Sequence, residues 1–234
     1  MFHGYRGTAE RDLSGGVQRC FTLKRNVLIV DQRTSGQSEG KVISFGINES
    51  RDCLSWVDHL ISRFGKDVKI ILTGISMGAS TVMITAGKPL PENVIYILAD
   101  CGYTSAQDII KKTIRDMKLP PDLLYPFVRL GAKIYGRFDL EETSPIEAMK
   151  KCTKPVIFIH GEADDMVPCE MSIRNYEACI APKAILTVPG AAHGLGFLLG
   201  MEDYYKTLHA FSEKCGLPAV EFQTLQFREN EISR

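Results

Sequence analysis

The stretch "TGISMGAS" (residues 73–80) follows an apolar, β-branched run, "VKIILTG" (68–74), and leads into the small, apolar segment "MGASTVMITAG" (77–87). A Val/Ile run bounded by glycine reads as a strand covered on both faces, and the small residues after it read as a buried helix. Ser76 then sits at the apex of a strand–turn–helix junction, with Gly74 and Gly78 two positions to either side. That is the local setting in which a serine hydroxyl stands exposed on a tight elbow. The apex backbone is strained, and the flanking glycines let strand and helix pass close by. The hydroxyl projects near the positive end of the following helix.

Similar apolar runs recur along the chain at "NVLIVD" (26–31), "VIYILAD" (94–100), "KPVIFIHG" (154–161) and "AILTVPG" (184–190). Amphipathic helical patterns separate several of them: 48–65, which ends at Gly65, then 170–180 and 201–216. Strand and helix alternating in this way predict an α/β fold with a doubly wound, mostly parallel sheet. At 234 residues the chain fits a single domain over 1–234. Residues 104–150 break the rhythm: two helical segments divided by Pro120–Pro121 have no strand between them. They read either as a helical cap over the sheet edge or as ordinary packing helices.

Lys+Arg and Asp+Glu balance at 28 each, so no overall field favours nucleic acid or an anionic membrane as partner. The seven cysteines are scattered and never in CxxC spacing, which speaks against a zinc site or disulfide framework and for a reducing, cytoplasmic setting. The sequence shows no leader pattern and no apolar run of membrane-spanning length.

A serine needs a base to take its proton and a carboxylate to orient that base. "HGEADDMVP" places Asp164 just beyond the run at 154–161, and "VPGAAHGLG" places His193 beyond the run at 184–190. A parallel sheet presents its ligand crevice beyond such strand ends. Asp165 and Asp100 remain alternatives for the acid. His59 and His209 lie in helical patterns and read as structural, and His160 reads as shaping the acid loop.

Together "HGYRG" (3–7), "DQRTSGQSEG" (31–40), "GISMG" (74–78), "HGEADDMVP" (160–168) and "GAAHG" (190–194) resemble the α/β-hydrolase superfamily, in its bacterial esterase and serine-aminopeptidase-like branch. The resemblance implies a serine hydrolase of carboxylic esters. Ser76 is its nucleophile, His193 its proton relay and Asp164 its acid, and an acyl-enzyme forms with no metal or organic cofactor. It also implies an oxyanion hole from the backbone N–H groups of Tyr5 and Met77, with His3 shaping the turn. Thr34 stands where the family usually has glycine. A small-molecule ester is the implied substrate, with a small amide or peptide as the alternative; the oligomeric state is not legible.

Members of the superfamily usually carry two or three strands ahead of the oxyanion turn, whereas only Met1 and Phe2 precede His3 here. The favoured expectation is a longer gene product. The others are assembly through that edge, and a filler strand at "AVEFQTLQF" (219–227). A non-catalytic hydrolase-fold protein that binds small acyl ligands or a partner is the competing functional expectation.

Overall fold

A computed structural model describes residues 1–218, so the candidate strand at 219–227 lies outside the described residues. Four apolar runs form one parallel sheet: β1 (Ile70–Ile75), β2 (Val94–Asp100), β3 (Val156–Gly161) and β4 (Lys183–Val188), in that spatial order. Each strand pairs in parallel with the next, through partners such as Leu72 with Ile97 and Phe158 with Ile185. Alternate residues feed opposite layers, which is why the runs are continuous in hydrophobicity. On one face Leu72, Ile97, Ala99, Val156 and Phe158 pack with Cys53, Val57, Val82 and Met83. On the other, Tyr96, Leu98, Ile157 and Ile159 pack with Tyr204, Leu208 and Phe211. The sheet is therefore covered on both sides, as a doubly wound fold requires.

Helices α1 (Ala9–Thr22), α2 (Glu49–Phe64) and α3 (Met77–Ala86) precede or follow β1. The sequence patterning does not single out α1, because Gly15–Gly16 interrupts it. Its start is nonetheless encoded: the Thr8 hydroxyl accepts the Arg11 N–H, and Glu10 and Asp12 stand in the first turn, where negative charge is favoured. Arg19 on α1 is buried, its guanidinium lying 5.2 and 5.1 Å from the ring centres of Phe197 and Tyr204.

The run at 26–31 departs from expectation. It forms no ladder; only Val30 makes a parallel bridge, to Phe2, which also bridges Gly74 of β1. The Phe2 N–H donates to the Thr73 carbonyl and the Val30 N–H to that of Met1, so pairing runs only along Met1–Phe2.

Residues 104–150 contain α4 (Ala106–Asp116), α5 (Pro121–Gly131), one π-helical turn (Ala132–Gly136) and α6 (Pro145–Met149). Pro121 opens α5, where a missing N–H costs nothing. α4 and α5 share a satellite core of Ile47, Ile110, Ile114, Tyr125, Phe138 and Leu140. α6 instead packs on α3 and α7 (Cys169–Ala178), as part of the main body. The short α8 (Gly196–Leu199) and α9 (Met201–Lys214) complete the described chain. Among the described residues no helix is long and apolar enough to cross a membrane.

Candidate active site

Ser76 adopts φ 57° and ψ −119°, a left-handed-side geometry that a non-glycine residue holds only where its surroundings impose it. The imposition is visible on either side. A Cβ at Gly74 would lie 2.2 Å from the Gly78 carbonyl carbon, and a Cβ at Gly78 would lie 2.1 Å from the Phe2 carbonyl oxygen. The Ser76 N–H is held by the Asp100 carbonyl at 2.8 Å.

The same close approach brings residues 3–5 against the elbow, since a Cβ at Gly4 would be 3.4 Å from that of Ser76. His3 is fully buried and locks this turn: its Nδ1 hydrogen-bonds the Gly4 carbonyl at 2.7 Å, and its Nε2 accepts the Gln32 N–H at 3.0 Å. The Gln32 side chain returns a bond to the His3 carbonyl at 2.7 Å. The segment around Gln32 thus supports the turn, and Thr34 in it does carry the left-handed φ of 68° that glycine normally takes. Among the described residues neither the Tyr5 nor the Met77 N–H donates a hydrogen bond. Met77 is the first residue of α3, where no intrahelical acceptor exists.

His193 and Asp164 meet: His193 Nδ1 lies 2.6 Å from Asp164 Oδ2. The structure brings His193 to Asp164 rather than to exposed Asp165, and Asp100 Oδ1 is buried without a partner. Asp164 is heavily engaged. Its Oδ1 accepts the Met166 and Val167 N–H groups at 3.0 and 2.8 Å, and its Oδ2 also meets His160 Nε2 at 3.1 Å. Burial works against its charge, but the hydrogen bonds from His160, His193 and the backbone prevail and hold the carboxyl well below the usual range. Buried His160 also bonds the Val167 carbonyl and Ser172, so it shapes the acid loop.

Cys101 knits the parts together. It is fully buried at φ 47°, and its N–H donates to the Ile159 carbonyl. Cys101 Sγ, an Asp164 carboxylate oxygen and a His193 ring nitrogen lie within 4.8 Å of one another. A soft metal would need the thiolate, but burial, then the charges of Asp100 and Asp164, push this thiol well above its ordinary value. Within this group Asp164 and His193 are bonded to each other.

An apolar wall of Met77, Tyr103, Val167 and Met171 flanks the elbow, with Phe45 and Ile109 against it. Phe45 stacks on Tyr5 with ring centres 5.5 Å apart. Its loop is held by Glu49, a buried carboxylate accepting Ser44 N–H at 2.8 Å, Ser44 hydroxyl at 2.6 Å and Gly46 N–H at 2.9 Å. Removing this acceptor strands three donors, so Glu49→Ala is expected to cost about 2–4 kcal/mol. Thermal unfolding measured beside the parent chain checks this, with a fall of roughly 5–15 °C as the expected result. Gln32, Glu49 and Cys101 carry no motif of their own in the sequence. Only the "DQR" context of Gln32, and a carboxylate three residues after Gly46 at a helix start, could have drawn attention to two of them.

A family model described as "Prolyl oligopeptidase family" matches residues 43–216, from the Phe45 loop through the elbow, acid and histidine loops to the end of α9. The chain belongs to the prolyl oligopeptidase family. Its α/β-hydrolase fold is shared with the Pyrococcus furiosus esterase Pf2001, which is 24% identical at a TM-score of 0.67 and covers 91% of this chain and 80% of the esterase. A monoacylglycerol lipase from Paleococcus ferrophilus, 20% identical, aligns at 0.63 over 91% of this chain and 92% of its own. In sequence, this prolyl oligopeptidase family member is 32% identical over 187 residues to the "Uncharacterized protein YqkD" of Bacillus subtilis. The match covers 80% of this chain and 61% of YqkD, and 82% and 62% for the Arabidopsis thaliana "Alpha/beta hydrolase domain-containing protein WAV2" at 28% identity. The chain thus spans about three fifths of these curated relatives.

Proposed function

We propose that this hydrolase-fold chain is a serine hydrolase that cleaves carboxylic esters through Ser76, His193 and Asp164. The observation that carries the reading is the 2.6 Å bond between His193 Nδ1 and Asp164 Oδ2, in a loop packed against the Ser76 elbow. With Nδ1 committed to Asp164, Nε2 is the nitrogen left to take the Ser76 proton as Oγ attacks the ester carbonyl. The oxyanion that forms meets the undonated N–H groups of Tyr5 and Met77. Collapse expels the alkoxide, which takes the proton from His193. Water then gives a proton to His193 as it attacks the acyl-serine, and collapse of this second intermediate frees the acid and expels Ser76 Oγ, which takes the proton back from His193.

The wall of Met77, Val167 and Met171 suits the apolar part of a small acyl group. The α4–α5 pair is read as a cap over that side of the cleft. Seven free cysteines fit a reducing compartment and support a cytoplasmic setting. The family match favours amide or small-peptide cleavage as the second reading, since the same residues serve both. Relative kcat/KM for p-nitrophenyl acetate and an aminoacyl p-nitroanilide separates the two.

The expected result with a fluorophosphonate probe is a single covalent adduct, mapped by peptide mass to Ser76. A folded chain that stays unlabelled, or is labelled elsewhere, overturns the proposal and favours a binding role for the fold.

A further inference from the structure

Helix α5 is apolar on two opposite sides, with Asp122 and Arg129 between them, yet only one of those apolar sides is covered. Tyr125 and Leu124 face the satellite core with Ile110 and Ile114. On the opposite side Leu123, Phe127, Leu130 and Ile134 are 53–66% exposed. Their spacing of four, three and four residues places them one above another along a single helix face. Leu119 before the helix and Tyr135, 87% exposed, extend the stripe at its two ends. A helix with this composition is ordinarily buried, and a contiguous apolar patch of this kind marks a surface that meets something apolar.

The charges around the stripe say what. Every acidic side chain on α4 and α5 is already paired: Asp108 with Arg174, Asp116 with Lys112 and Asp122 with Lys111. Arg115, Lys118 and Arg137 form no ion pair among the described residues and stand exposed beside the stripe. The residual field is therefore positive, although the chain as a whole is neutral. An apolar face with Leu, Phe and Tyr, flanked by unpaired cations, is the pattern of a helix that lies in a lipid–water interface. A second copy docking on this face would bring like charges together.

We propose that the exposed face of α5 and of the π-helical turn that continues it is a docking surface for an anionic lipid bilayer, into which Leu123, Phe127, Leu130 and Ile134 insert while Arg115, Lys118 and Arg137 meet the headgroups. This goes against the absence of a membrane partner expected from overall charge balance, because that balance hides the local asymmetry of one helix pair. The docking does not depend on Ser76 chemistry.

The test is co-sedimentation of the full chain with vesicles of phosphatidylcholine alone or mixed equally with phosphatidylglycerol. Binding is expected for the mixed vesicles and to fall about tenfold or more in the Leu123→Glu/Phe127→Glu double variant. Lys118→Glu/Arg137→Glu is expected to weaken it by roughly tenfold and to abolish the preference for anionic vesicles. Both variants change exposed side chains, and circular dichroism verifies that each is folded. Ser76→Ala is expected to bind as the parent does, which keeps this result separate from the catalytic proposal. No sedimentation with either vesicle, equal binding by the double variant, or indifference to lipid charge overturns the proposal. So does a lipid-free dimer that Phe127→Glu dissolves, which assigns the face to a second copy.

Discussion

Ser76→Ala is expected to lower kcat for p-nitrophenyl acetate by roughly a millionfold, to the background rate of the ester in buffer. In the proposed mechanism the nucleophile, base and acid act as a unit, so removing one leaves only binding and oxyanion contacts. Folding should survive the change. The φ of 57° at position 76 is imposed by the close passage of Gly74 and Gly78, and the Ser76 N–H bond to Asp100 is a backbone bond that alanine keeps. Steady-state rates with matched circular dichroism test this, and retained turnover by the alanine variant removes Ser76 from the chemistry.

Asp164→Asn is expected to lower kcat by about ten-thousandfold, whereas Asp165→Asn leaves it within a few-fold of the parent. The difference follows from what each side chain faces. An asparagine at 164 satisfies the Met166 and Val167 N–H groups with its carbonyl oxygen and so turns its NH2 toward His193 Nδ1. The imidazole must then accept at Nδ1 and carry its proton on Nε2, where it cannot receive one from Ser76. Asp165 is exposed, and it is its backbone carbonyl that engages Lys112. The depressed Asp164 carboxyl also sets a pH signature. Its contribution to stability is present above the ordinary carboxylate range and fades only as pH falls through the lower folded value. The stability gap between parent and Asp164→Asn is therefore expected to stay flat from about pH 7 to 5 and to close below roughly pH 4, as read by denaturant midpoints.

The parallel sheet was legible in the sequence because burial on both faces leaves no alternation. β2 coincides with the run at 94–100, and the other three strands differ from their runs at one or both ends by one or two residues. The elbow was legible because Gly74 is demanded by a local contact with Gly78 and its neighbours, although Gly78 answers to the distant Phe2 carbonyl. Helix α1 was not, since Gly15–Gly16 masks a pattern whose few buried residues include Arg19. The run at 26–31 has strand composition, but a ladder needs a partner, and its neighbour there is Met1–Phe2. The pairing of His3 with Gln32 spans 29 residues in sequence, and no local pattern reports it. Cys101 was indistinguishable from a small core hydrophobe, because its nearness to Asp164 and His193 exists only once the strands and the His193 loop are assembled. The exposed stripe on α5 was equally hidden, for apolar residues on a helix do not announce which of them will be covered.

The gap between residues 3–5 and the elbow is set by close main-chain approach, with the Gly78 Cα pressed toward the Phe2 carbonyl and Gly4 against the Ser76 Cβ. The His3 ring and the Gln32 side chain brace it from behind. In evolutionary terms, an exposed neighbour such as Tyr5 is open to change without altering that separation, whereas Met77, buried in the core, is not. Mutation is thereby divided into two unequal classes: a few glycines that leave no room for a Cβ, and the exposed side chains around them, where change is tolerated.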